Sequence, residues 1–248
     1  MADRTEVVFV DGVRTPFGRA GEKGQYWNTR ADDLVVKAMI GLLERNPNVP
    51  KERIDDVAIA ATTQQGDQGL TLGRTAALLA GLPKSVPGFA IDRMCAGAMT
   101  SVTTLGSGIA FGAYDLAIAG GVEHMGRHPM GFGADPNPRF LSERMVAEDA
   151  LNMGMTAERI HDRFPALTKE RSDRFALGSQ QKTAAAYAAG KLQPDLIPVA
   201  IRSEEGWGLA TQDQGMRPET TMEGLATLKT PFRPHGRVTA GNSSPLTD

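Results

Sequence analysis

The sequence holds a single cysteine, Cys95, in the stretch AIDRMCAGAMTSV. A thiolate is a strong nucleophile, so a lone cysteine at a strand-to-helix turn is a candidate for nucleophilic catalysis. Three local features favour that chemistry. The residues before Cys95 read as a strand, and α/β proteins place their sites just past strand ends. The residues after it read as a helix, whose unpaired N–H groups and dipole favour a thiolate. Ala96, Gly97 and Ala98 are small, which leaves room for a substrate and lets backbone N–H groups face an oxyanion, as at a nucleophile on a tight turn. The competing reading is a small buried hydrophobe, because free cysteine is among the most buried residue types.

A base for Cys95 is harder to find. The four histidines are His124, His128, His161 and His235. His124 and His128 are four apart with Glu123 adjacent, a spacing that suits a metal on a helix. Pro129 and the nearby glycines oppose a helix there and no third ligand is evident, so no metal is expected. His161 falls on an amphipathic helix as a structural or surface residue, and His235 lies in a solvated loop. Arg217, Lys229, Arg233 and Arg237 form a local cationic set. It reads either as ordinary surface or as a phosphate-binding face, since guanidinium forks match phosphate oxygens. TAGNSS is a loop of small and hydroxyl residues that a thin ligand can approach closely. Met153 and Met155, in NMGMTAE, suit an adaptable apolar pocket or a plain core.

These residues must be held by an alternating frame. EVVFVDGV, DDVAIAAT, VPGFAID and DLAIAGGVE read as strands. NTRADDLVVKAMIGLLERNP reads as a helix capped by Thr29, with Asp32 and Asp33 in its first turn and a stop at Asn46-Pro47. TLGRTAALLAGLP is a short helix closed by Gly81. CAGAMTSVTTLGSGIAFGAY is a helix with almost no charge, expected to be buried on most sides. The order predicts an α/β fold, a mostly parallel sheet covered by helices, over residues 1–120. From 121 to 248 the texture is looser, with a short helix capped by Thr156 and a longer one running from Thr168 to Gly190, and it reads as a second region.

The chain has 248 residues with a formal net charge of -2, so no basic excess points to nucleic acid. One cysteine makes no internal disulfide, which fits a reducing compartment. No signal peptide and no membrane span is read, and a cytoplasmic location is expected.

Seven stretches in order, VRTPFGRAG, TLGRTAALLAGLP, DRMCAGAM, GGVEHMGRHPMG, MGMTAE, RPETTMEGLATLK and VTAGNSS, resemble the thiolases, most closely the degradative 3-ketoacyl-CoA thiolases of fatty-acid β-oxidation. The resemblance implies a layered thiolase fold in which 121–248 is a loop domain over the coenzyme A site. It implies that Cys95 is the acyl-carrying nucleophile. It further implies that Arg217 lies near the nucleotide of coenzyme A, Ala240 and Ser244 lie along the pantetheine, and Met153 faces the reactive end. Acyl-CoA and CoA are then the substrates, with no cofactor or metal, and the protein is a homodimer or homotetramer. A biosynthetic acetyl-CoA acetyltransferase and a non-catalytic acyl-CoA-binding fragment are the alternatives.

Two departures stand out. Thiolases usually have Asn at the place of Asp92, and a Ser-Gly or Ser-Ser pair at Gly97-Ala98. Family members also continue into a second half, which supplies a Gly-His-Pro histidine, an Asn-Glu-Ala-Phe asparagine and a second cysteine, motifs that do not occur here. The expectation is that this chain alone lacks the acid/base groups and needs a C-terminal half or a second chain.

Overall fold

A computed structural model describes residues 6–248. They form two compact units. The first runs up to Gly133 and takes back 193–214 and 246–248; the second comprises 134–192 and 215–245. A single division at residue 120 therefore differs from the folded chain, whose first unit is assembled from three separate segments.

In the first unit, helix α1 spans Ala31–Arg45, with Leu34, Val35, Val36 and Met39 buried. Its N-cap is Arg30, not Thr29, and no side chain of the cap residue satisfies the first turn. The Asp67 carboxylate accepts from the Ala31 N–H instead, at 3.1 Å. Asn46 ends the helix by donating its side-chain amide to the Leu42 carbonyl at 2.9 Å.

Strand β1 (Asp56–Ala60) is buried at every residue. It lies between β2 (Phe89–Ile91) and β3 (Ala117–Gly121), parallel to both. A strand covered on both faces needs a continuous apolar run, which is what DVAIA supplies. Alternation sends Val57 and Ile59 into the core formed with α1 and with α2 (Leu72–Leu79). Ala60 points the other way, towards α3 (Gly97–Phe111). The layers touch closely: a Cβ on Gly73 of α2 would lie 2.5 Å from the Val57 carbonyl oxygen.

The first expected strand, EVVFVDGV, is not one. Residues 6–13 join no ladder, and Val8, Phe9 and Val10 are exposed. β-branched residues favour a pleated, half-buried setting, but a strand exists only where a partner accepts its backbone. Phe9 instead borders an open cleft of about 330 Å³ beside the free edge of β3, which Ile118 and Gly120 also line.

Helix α3 is a second departure. Only Gly97, Ser101 and Leu105 are buried, while Met99, Val102 and Phe111 are exposed, Phe111 at 90%. Lack of charge marks a face suited to being covered; among the described residues nothing covers it. By length and composition alone Met94–Phe111 passes the test for a membrane-crossing segment, a test that core helices also pass. One face of it packs on the sheet through Gly97 and Leu105, as a layer helix does.

A hairpin of β4 (Val199–Ser203) and β5 (Gly206–Ala210) completes the unit. Val199 and Ala210 pack with Tyr26 and Leu34 in a smaller core. Arg14, in the VRTPFGRAG stretch, makes a two-pronged pair with Asp213 at 2.7 and 2.9 Å.

The second unit is helical. It holds α4 (Arg139–Ser142), α5 (Met153–Arg163), α6 (Lys169–Ala188) and α7 (Met222–Ala226). Thr168 caps α6 as expected, accepting from the Arg171 N–H. Helix α5 starts earlier than expected. Its cap is Asn152, which accepts from the Met155 N–H, and Thr156 lies inside the helix.

Candidate active site

Cys95 sits on the turn between β2 and α3. After Ile91 the chain reverses through Asp92, whose carboxylate accepts from the Met94 N–H at 3.0 Å. Met94 has φ +47°, in the left-handed region. A side-chain-bearing residue held there costs about 1–2 kcal/mol, and such residues cluster at functional sites. Met94–Ala96 form one 3₁₀ turn, closed by the Ala96 N–H on the Arg93 carbonyl at 3.0 Å. Cys95 is thus two residues ahead of α3, beside that helix's unpaired N–H groups. It is exposed, which removes the reading of a core cysteine.

The small residues after it have a different use from the one expected. Gly97 is buried, and a Cβ there would lie 2.8 Å from the Cβ of Ala60. The Ala98 Cβ would be 3.0 Å from one built on Gly121. At Gly97, smallness lets α3 start close against β1 rather than leaving room for a ligand. Ala96 and Ala98 are exposed.

No histidine partners the thiol among the described hydrogen bonds. His124 is fully buried, with Nε2 3.0 Å from the Tyr26 carbonyl oxygen and Nδ1 3.2 Å from Asp248. Burial pushes the His124 ring down in basicity, but the Asp248 carboxylate outweighs this and leaves its pKa raised. His128 meets Asp67 through Nε2, and Arg127 reaches the other oxygen of Asp67 at 2.9 Å. Burial raises the Asp67 carboxyl, and His128, the Ala31 N–H and Arg127 together more than offset it, holding the group below its ordinary range. His161 sets Nδ1 2.6 Å from the Leu167 carbonyl oxygen. His235 is exposed. Glu123, beside His124, accepts from the Thr62 N–H at 2.7 Å and from Gln68 at 2.8 Å. The segment after β3 is therefore tied to the loop after β1, and no group of three metal-ligating side chains occurs among the described residues.

The four residues expected around coenzyme A all lie in the second unit. Met153 is the first residue of α5 and is 67% exposed. Arg217 is exposed, its backbone N–H held by Gln180 at 2.8 Å. Ala240 and Ser244 are exposed on an irregular segment. Two members of the cationic set are committed to the fold. Arg233 pairs with Asp162 at 2.7 Å and with Glu158 at 3.1 Å. Arg237 donates to the carbonyls of His161 and Leu167 at 3.1 and 2.8 Å. That removes both from a free phosphate face and leaves Arg217 and Lys229 exposed.

Sequence reasoning missed two buried acids of this unit, Glu158 on α5 and Asp173 on α6. Charged residues on helices usually face water, and here the buried face of α5 is polar: Glu158 and His161, one turn apart. A search for apolar periodicity passes over such a face.

Comparison with known proteins adds an independent line. Residues 7–248 match the family described as "Thiolase, N-terminal domain". A 3-ketoacyl-CoA thiolase of Aliivibrio fischeri is 40% identical over 244 residues, covering 98% of this chain and 62% of that protein. A beta-ketoadipyl-CoA thiolase of Pseudomonas putida is 38% identical over 258 residues, covering 98% and 64%. The crystal structure of the Bacillus anthracis acetyl-CoA acetyltransferase superposes with a TM-score of 0.84 at 30% identity, over 99% of this chain and 64% of that one. The chain thus spans less than two thirds of the length of these relatives.

Proposed function

The chain belongs to the thiolase family, and from that premise we propose that Cys95 is the acyl-carrying nucleophile of a 3-ketoacyl-CoA thiolase. The observation that carries the reading is the chain's sole cysteine, exposed on a strained turn between a parallel strand and a helix.

In the forward direction the Cys95 thiolate adds to the 3-keto carbon, and the carbonyl oxygen becomes an oxyanion. Collapse breaks the C2–C3 bond with its electron pair on C2, which takes a proton and leaves as acetyl-CoA. The thiol of free CoA gives up a proton and attacks the Cys95 thioester, releasing an acyl-CoA shortened by two carbons and restoring the thiolate. Backbone N–H groups at the start of α3 are suited to the oxyanion. The two proton transfers need a base and an acid, and among the described residues no side chain hydrogen-bonds to the Cys95 thiol. Arg217, Ala240, Ser244 and Met153 are the proposed contacts of coenzyme A in the second unit, which we take to be the loop domain over the coenzyme A site. Coenzyme A acts as substrate, without a further cofactor. Fatty-acid β-oxidation, a cytoplasmic setting and a homodimeric or homotetrameric assembly belong to the same reading. Synthesis of acetoacetyl-CoA from two acetyl-CoA is the second reading, favoured by the name of the Bacillus anthracis structure.

Intact mass spectrometry of the protein with this chain joined to the C-terminal half that the resemblance implies, after incubation with acetoacetyl-CoA, tests the reading. One acetyl group on Cys95, absent in Cys95→Ala and removed by added CoA, is expected. An unmodified Cys95, or the same adduct in the Cys95→Ala variant, would overturn it.

A further inference from the structure

Between α7 and Pro245 the chain has no helix or strand, yet the backbone of residues 237–239 is held by side chains. Glu158, fully buried, accepts from the Arg237 N–H at 2.8 and 3.0 Å and from the Val238 N–H at 2.8 Å. It lies so close that a Cβ on Gly236 would sit 2.3 Å from its Oε1. Asn242 continues the pattern. Its Oδ1 accepts from the Thr239 N–H at 2.7 Å, and its amide donates to the Arg237 carbonyl at 2.9 Å. Asn242 is itself oriented by Asp173, 2% exposed, which accepts from it at 2.9 Å and from Lys169 at 2.6 Å. Lys169 in turn donates to the Leu225 carbonyl at 2.8 Å, and Gly241 packs against Leu225 with no space for a Cβ.

Two carboxylates kept out of water to fix an irregular segment are costly, because burying a charge is unfavourable unless it is paired and hydrogen-bonded. The arrangement makes sense where the exact path of that segment matters. The residues it presents outward are Ala240, Ser243 and Ser244, all exposed. We infer that Glu158 and the Asp173–Asn242 pair are positioning residues for coenzyme A: they fix the 237–242 backbone so that the 240–244 segment meets the pantetheine in one geometry. This rests on the reading above that the 240–244 segment receives CoA. Neither acid touches the ligand; both act through the loop, lowering the entropy lost when CoA binds a segment already ordered.

The test compares the full chain with Glu158→Gln, which keeps the shape but turns one acceptor into a donor, and with the milder Asn242→Ala. Three quantities are read: amide hydrogen exchange at residues 237–239, CoA affinity by calorimetry, and the rate of Cys95 alkylation by iodoacetamide. Exchange should accelerate and CoA affinity should fall, each by about tenfold or more, the effect of losing charge-assisted hydrogen bonds. Cys95 alkylation should not change. Faster exchange with unchanged CoA affinity overturns the inference and leaves the thiolase reading intact. Unchanged exchange overturns the clamp itself. Altered Cys95 alkylation alongside lost affinity marks a general loss of structure and also overturns it. A wild-type chain that does not bind CoA removes the reading on which the inference stands, and the inference with it.

Discussion

Gly97 rests on Ala60: a Cβ added to the glycine would come within 2.8 Å of the alanine Cβ. The start of α3, and with it the Cys95 turn, is therefore set by how closely a helix can approach β1. Replacing Gly97 by Val should push the helix off the strand. Overpacking of this kind costs about 1–3 kcal/mol. Urea unfolding of Gly97→Val should show that loss, and hydrogen exchange at 94–98 should rise with it. A variant as stable as the parent would mean that the contact relaxes without consequence.

The same reasoning applies in the second unit. A Cβ on Gly154 of α5 would lie 2.2 Å from the Phe232 ring. Gly154→Ala should destabilise by about 1–3 kcal/mol even though alanine is the better helix former. Removing the obstacle in Gly154→Ala/Phe232→Leu should recover part of that loss. A double-mutant cycle with no coupling between the two sites would contradict the packing described.

Asp67 predicts a pH dependence with a definite sign. Its carboxyl is held below the ordinary range because His128, the Ala31 N–H and Arg127 outweigh the effect of burial. A group whose folded pKa is depressed contributes stability that is complete above its unfolded value, about 4, and is lost as pH falls through the folded value. Stability measured against pH should therefore drop on the acid side, and in Asp67→Asn the drop should be shallower. An identical acid limb in the variant would show that other carboxyls dominate.

The open face of α3 gives a solution prediction. Met99 and Val102, three apart and so on one side of the helix, are exposed apolar residues on a helix with no charge. Contiguous apolar surface of this kind drives association. Met99→Lys with Val102→Lys should reduce concentration-dependent self-association in sedimentation velocity, at a stability cost within about 0.5 kcal/mol per site. Association unchanged by the two lysines would place the contact elsewhere.

What could be read from the sequence follows from how local each cause is. Strands β1, β2 and β3 were legible because each carries an apolar run bounded by turn residues in its own sequence, although only β1 is buried throughout. The cap of α6 was legible because Thr168 bonds three residues ahead. The cap of α1 was not: the group that serves it, Asp67, is 36 positions away. The stretch from Glu6 to Val13 has strand composition, but pairing is a tertiary event, and no ladder forms there. Cys95 stood out by being alone and at a junction, and the turn bears that placement out. The coenzyme A residues were named through family resemblance; nothing in the spacing of Arg217, Ala240 and Ser244 singles them out. Glu158 and Asp173 stayed hidden because a buried acid and a solvated one look alike until the loop that uses them is in place.

The first unit is closed by residues made long after its start. Gly18 and Asp248 exchange two backbone hydrogen bonds, at 2.8 and 2.9 Å, and Ala20 donates to Leu246 at 3.0 Å. A ribosome adds about 5–20 residues per second, so the loop at 18–20 waits on the order of ten seconds or more for its partners. By the end of that interval α1, α2, the three-stranded sheet and the β-hairpin have been made, while the final tie has not. Translation speed and holding chaperones thereby acquire leverage over yield: slowing synthesis between 134 and 248 prolongs the half-built state, and a protease present during translation should cut nearer residue 18 than one added to the folded protein.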